Sequence, residues 1–121
     1  MSTELPPQIQ NQLAQLQQVQ QQAQAIYTQK TQMELMLREA EQALEELEKL
    51  EKDAVIYKGV GQLLIKSKKG AMKEDLAEKK ETLTLRLKTL EKQEERIQKR
   101  FQELQEQIKA ALGKKESAGY G

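Results

Sequence analysis

A chain of 121 residues that is 32% charged, 37% hydrophobic and 3% aromatic is long enough for one domain but too polar to wrap a compact globular core. It has no cysteine and no histidine, which excludes disulfides, thiolate zinc sites, imidazole ligands, and nucleophilic or general-base chemistry on those groups. Lys and Arg total 20 against 19 Asp and Glu, so a net charge of +1 supplies no bulk attraction to nucleic acid or acidic membranes, and partners must be held by apolar contact.

The first segment, Met1 to Gln10, lacks the basic region and apolar stretch of a signal peptide, and the longest aliphatic or aromatic run is Ala54 to Tyr57. A cytoplasmic chain that does not enter a membrane is expected. Pro6 and Pro7 suit a helical first turn, where a missing N–H has no intrahelical partner anyway. From there to about Lys52 no Gly or Pro interrupts the chain. Ile9, Leu16, Ala23, Lys30, Leu37, Leu44 and Glu51 recur every seven residues, interleaved with Gln12, Val19, Ile26, Met33, Ala40, Leu47 and Ala54. An alternating three-and-four spacing of mostly apolar residues keeps one narrow seam facing a partner helix, as in a coiled coil.

Next comes Val55-Ile56-Tyr57-Lys58-Gly59-Val60-Gly61-Gln62-Leu63-Leu64-Ile65-Lys66, β-branched and apolar with two central glycines, which predicts a β-hairpin. A second breaker-free stretch, Ala71 to Leu112, repeats Leu76, Leu83, Leu90, Ile97, Leu104 and Ala111 with Lys80, Leu87, Glu94, Phe101 and Ile108 between them, and Gly113 suits a helix stop. The expected fold is therefore mainly α: an antiparallel two-helix coiled coil with a central β-hairpin. It forms a single domain over 1–121, with a helix over about 7–54, the hairpin over about 55–68, a helix over about 71–112 and a flexible tail, 113–121.

Folding the helices back on each other with Leu44 facing Leu83, Leu37 facing Leu90 and Ile26 facing Phe101 puts every layer on both seams. It also brings Lys30 within one layer of Glu94, and Glu51 within one layer of Lys80. A slide by one heptad would preserve the apolar layers, so these four charges are expected to set the register. Removing one partner of such a pair would cost up to roughly 3–5 kcal/mol if the pair were fully buried.

The order long helix, Tyr57-Lys58, Val60-Gly61, Leu63-Leu64-Ile65, long helix resembles the beta-class subunit of prefoldin, especially the archaeal form. Gln12-Leu13-Ala14-Gln15-Leu16 and the stretches Glu81-Thr82-Leu83 and Leu90-Glu91-Lys92-Gln93-Glu94 are similar to that family as well. The resemblance implies a hexamer of two alpha-class and four beta-class subunits, with hairpins joined into β-barrels. It further implies ATP-independent binding of unfolded proteins at the coiled-coil tips and their transfer to a group II chaperonin.

The residues themselves point the same way. Unpaired strand edges in an apolar hairpin are templates for another chain, which makes Val55, Tyr57, Val60, Leu63, Leu64 and Ile65 the expected oligomer interface. At the far helix ends Ile9, Leu13, Leu16, Ile108, Ala111 and Leu112 are the expected client-binding residues, because exposed apolar groups at a helix end mark a binding surface.

Other chemistry finds no support. The G-x-x-x-x-G-K-[ST] phosphate loop does not occur, and Glu45, Glu46, Glu48 and Glu51 alternate with Lys49 and Lys52 as on a solvated face. Lys66, Lys68, Lys69 and Lys73 are too few for a basic-zipper DNA reader. No enzyme, cofactor, metal site, nucleic-acid partner or membrane partner is expected. The competing reading is a structural coiled-coil adaptor docking one folded partner, which would require a stereospecific polar pattern at the tips.

Overall fold

Uninterrupted runs of Ala, Leu, Glu, Lys and Gln favour helix wherever an apolar seam can be buried. In the computed structural model, which describes residues 5–120 with side chains to Lys114, two such helices flank a hairpin. The order is α1 (Pro7–Lys49), β1 (Ile56–Val60), β2 (Leu63–Ser67) and α2 (Lys69–Tyr120). The Pro6 carbonyl accepts the Gln10 N–H at 3.0 Å and opens α1, so Pro7 occupies the first helical position as expected.

Three boundaries differ from the sequence expectation. The first helix ends at Lys49 rather than near Ala54: the Leu50 N–H bonds to the Leu47 carbonyl at 3.1 Å, and a turn closes from Ala54 N–H to the Glu51 carbonyl, also at 3.1 Å. Asp53 suits that turn. The second helix starts at Lys69, two residues before Ala71, because the Lys68 carbonyl already accepts the Met72 N–H at 3.0 Å. It continues through Gly113 to Tyr120 instead of ending at Leu112. Glycine stops a helix by taking a positive φ; among the described residues only Gly61 does so, at 59°. A helical Gly costs about 1 kcal/mol, which the flanking Ala and Leu residues tolerate.

The strands pair antiparallel from Ile56↔Ser67 to Val60↔Leu63. The two-residue loop Gly61-Gln62 has positive φ only at its first position, the type II′ geometry that matches the twist of a hairpin.

The chain divides into two units. One joins Met1–Gln29 to Leu90–Gly121, and the other is Lys30–Thr89. In the first, Ile9, Val19, Leu90, Leu104 and Ile108 are buried, and Leu104 is wholly enclosed. In the second, Ala40, Leu47, Leu83 and Leu87 are buried, together with Ile56 of β1. All nine helical residues named here lie on the two seams.

The register differs from the one set by charges. In the first unit Arg100 Nη2 donates to Gln15 Oε1 at 3.1 Å. With Phe101 opposite Ile26, Arg100 would lie about 18 Å along the axis from Gln15, beyond the reach of both side chains. Ala23 shares a groove with Ile97, and Ile9 shares one with Ala111, so the layers sit one heptad away, with Leu16 level with Leu104. The second unit agrees: Glu48 pairs with Lys73, and the Lys69 ammonium reaches the Leu50 carbonyl, placing Leu44 level with Leu76 and Leu37 level with Leu83. The connector decides this. A helix ending at Lys49 and another starting at Lys69 leave no unpartnered turn only when those ends face each other.

The four expected register charges fall accordingly. Lys80 is exposed at the level of Ala40, about three turns from the exposed Glu51. Glu94 is half-buried at the level of Ile26, and Lys30 is half-buried; each has a polar or ionic interaction. Long charged side chains lay their stems along a seam and keep their heads in water, so an apolar layer opposite them is tolerated.

Candidate interaction surfaces

Strand alternation sends Ile56, Lys58, Val60, Leu63, Ile65 and Ser67 to one face of the hairpin and Tyr57, Gly59, Leu64 and Lys66 to the other. Only the root is covered. Ile56 is 8% exposed and Ser67 half-buried, whereas Leu64 is 75%, Leu63 66% and Val55 63% exposed, and Tyr57, Val60 and Ile65 are exposed too. Every residue expected at the oligomer interface is thus an apolar side chain in solvent, Val55 just before β1 and the other five on the two faces of one two-stranded sheet. A sheet this small is marginal by itself.

Polar contacts anchor the hairpin root. Lys58 Nζ pairs with Asp75 of α2 at 3.0 Å, with both side chains about half exposed. Lys73 pairs with Glu48. The hydrogen bond from Lys73 holds the Glu48 carboxyl below the usual carboxylate range, reinforced by the Lys73 charge and then by that of Lys69. Lys69 Nζ donates to the Leu50 carbonyl at 2.8 Å, satisfying a backbone acceptor just past the end of α1.

The expected client-binding residues line two open grooves in the first unit. Leu13, Leu16, Ile108 and Leu112 surround one of about 730 Å³, rimmed by Gln105 and Lys109. Ile9 and Ala111 line another of about 540 Å³ with Pro6, Gln12 and Ala110. Their accessibility splits them: Leu13 is 39% exposed and Leu112 is also exposed, whereas Ile9 and Ile108 are buried seam residues and Leu16 and Ala111 are half-buried. Gln12 Oε1 is buried with no hydrogen-bond partner among the described residues.

Two features went unread in the sequence. A groove of about 600 Å³ opens between Ala23, Tyr27, Ile97 and Phe101, where a small seam residue faces a large one. Met36 and Ala43 on the flank of α1 and Leu50 just past its end, spaced by seven beside the seam, form an apolar stripe whose period is present in the sequence. Among the described residues no His, Cys, Asp or Glu cluster could hold a metal, and no helix is long and apolar enough to cross a membrane.

A family model described as "Prefoldin subunit" matches residues 10–115. The chain belongs to the prefoldin subunit family. It is 61% identical over 116 residues to the prefoldin subunit beta of Methanocella arvoryzae, covering 96% of this chain and 92% of that one. It is 62% identical to the prefoldin subunit beta of Methanococcoides burtonii over 93% of this chain and 97% of the relative. The crystal structure of the prefoldin beta subunit from Thermococcus strain KS-1 superposes with a TM-score of 0.82 at 45% identity, covering 92% of this chain and 97% of that chain. Two long helices joined by a two-stranded hairpin are the prefoldin beta fold.

Proposed function

We propose that this prefoldin subunit works as an ATP-independent holdase in the cytoplasm: its hairpin joins alpha-class and further beta-class subunits into a hexamer, and its tips hold unfolded proteins for a group II chaperonin. The observation that carries the assembly half is the hairpin, whose apolar side chains stand in water on both faces. A soluble protein satisfies such a surface by association.

The holding half rests on Leu13 and Leu112, exposed beside the groove they share with Leu16 and Ile108. A non-native chain presents scattered apolar segments. Each large side chain taken out of water contributes roughly 1.5–3 kcal/mol before ordering costs, and several tethered arms raise the hold through effective concentration. The surroundings are rich in glutamine, Gln8, Gln12, Gln105 and Gln107, with Glu106, Lys109 and Lys114 contributing charges of both signs, so that no single sequence is favoured.

The test is co-purification with an alpha-class subunit, followed by aggregation assays on several unrelated denatured proteins without nucleotide. The complex is expected to suppress aggregation of most of them, and a Leu13→Asp/Leu112→Asp variant to lose most of that effect with its helix content intact. A wild-type complex that protects none of them would overturn the reading.

A further inference from the structure

The hairpin alone is a small surface for holding subunits together. Each of its exposed apolar side chains offers roughly 100 Å², shared between two faces, whereas a specific interface needs about 800 Å² from each partner. More apolar surface begins where the hairpin ends. Leu50 is 42% exposed, Met36 40%, and Ala43 between them is half-buried. Spaced by seven, Met36 and Ala43 run along one flank of α1 and Leu50 stands just past its end, beside the seam residues Met33, which is half-buried, and Ala40 and Leu47, which are buried.

Charge is ordered across that flank. On the α2 side of the stripe stand Lys79 and Arg86, at the heptad position that borders the same flank of an antiparallel pair. On the outer side of α1, about 60° round the helix from Met36 and Ala43, stand Glu39 and Glu46, the latter in an exposed pair with Lys49 at 3.3 Å that a partner's cation would have to share. The face therefore reads basic, apolar, acidic from one edge to the other. All seven residues lie in the second unit.

A two-fold axis parallel to the helices and passing in front of the stripe lays such a face on its own copy with apolar against apolar and each basic edge against an acidic one. It also keeps both hairpins at the same end, where they could continue the same interface. We infer that this flank binds the same flank of a second copy of this chain, Met36, Ala43 and Leu50 forming the centre and Lys79 and Arg86 facing the neighbour's Glu39 and Glu46. The inference rests on the proposed hairpin-driven assembly and adds a second, helical contact to it. Such rim charges chiefly set orientation and partner choice.

A residue beside a two-fold axis meets its own symmetry mate, and a chain without cysteine makes that directly readable. Met36→Cys and Leu35→Cys are compared in the full chain under mild oxidation; both positions are exposed, but they point about 100° apart on α1. Met36→Cys is expected to give a covalent dimer in most molecules and Leu35→Cys almost none. Equal cross-linking of the two, or none at Met36, overturns the inference.

The second arm measures mass by sedimentation. Lys79→Glu/Arg86→Glu is expected to weaken association at least tenfold, and adding Glu39→Lys/Glu46→Lys to restore it to within about threefold. A charge reversal without effect on mass overturns the inference. Leu64→Asp/Ile65→Asp separates the two ideas: if it leaves the mass unchanged, the hairpin reading fails, whereas if it alone disrupts assembly, the hairpin reading stands and the flank contact falls.

Discussion

Lys69, the first residue of α2, donates its ammonium to the carbonyl of Leu50, one residue past the end of α1, at 2.8 Å. This bond ties the entry and exit of the hairpin together. It thereby fixes which turn of α1 starts opposite which turn of α2, and the layers of the second unit, Lys30–Thr89, share that alignment.

The register can be tested with cysteine pairs. Ala23 and Ile97 line one groove, so Ala23→Cys/Ile97→Cys is expected to close an intramolecular disulfide readily. Ala23→Cys/Leu104→Cys, the pairing implied by the charges, is expected to close little. Mass spectrometry of the non-reduced monomer decides between them, and the reverse outcome would reinstate the charge-derived register.

Leu104 is the most deeply enclosed side chain described, with 0% exposure. Leu104→Ala removes its burial and leaves a cavity, at an expected cost of about 2–5 kcal/mol in chemical denaturation. Leu85→Ala, at a residue 59% exposed on the outer helix face, is expected to cost less than about 0.5 kcal/mol. A similar loss at both would mean that the seam is not where stability resides.

Gly61 has φ of 59° and nothing within 4 Å of where a Cβ would sit, so space is not what excludes a side chain there. Gly61→Ala is expected to destabilise the hairpin by about 1–2 kcal/mol through the left-handed backbone alone. Gly59→Ala, equally uncrowded and without a positive φ, is expected to be near neutral. Amide exchange in the strands reports both.

The Glu48 carboxyl lies below its ordinary range because Lys73 bonds to it. A depressed folded-state value means that the pair's contribution is complete above the unfolded carboxylate range and is lost as pH falls through the lowered folded value. Glu48→Gln is therefore expected to reduce the fall in melting temperature on acidification between neutral pH and the acid range, with a small effect, since both partners are solvated. An identical pH profile for the variant would remove the pair from the acid response.

Fold and candidate surfaces were legible to different depths. Two helices, the hairpin between them and the identity of the seams followed from breakers and periodicity: Leu83, Leu87 and Leu104 are buried where the heptad put them. The apolar character of the hairpin residues is plain in the sequence, and they stand exposed. At the tips the same pattern could not separate Ile9, which is buried, from Leu13, which is not, because distance from the seam axis is a matter of actual packing.

The amino-acid sequence by itself determined what kind of elements form and which sides of them are apolar, since backbone freedom and side-chain periodicity are local properties. Tertiary structure alone decided the alignment of the helices, the early end of α1 and the order of charge across its flank. A seven-residue repeat slid by seven residues reproduces its own apolar layers, so no pattern along the chain can choose between alignments. The choice is made where the hairpin closes, by how many residues the turn at Glu51–Ala54 and the strands consume before α2 begins.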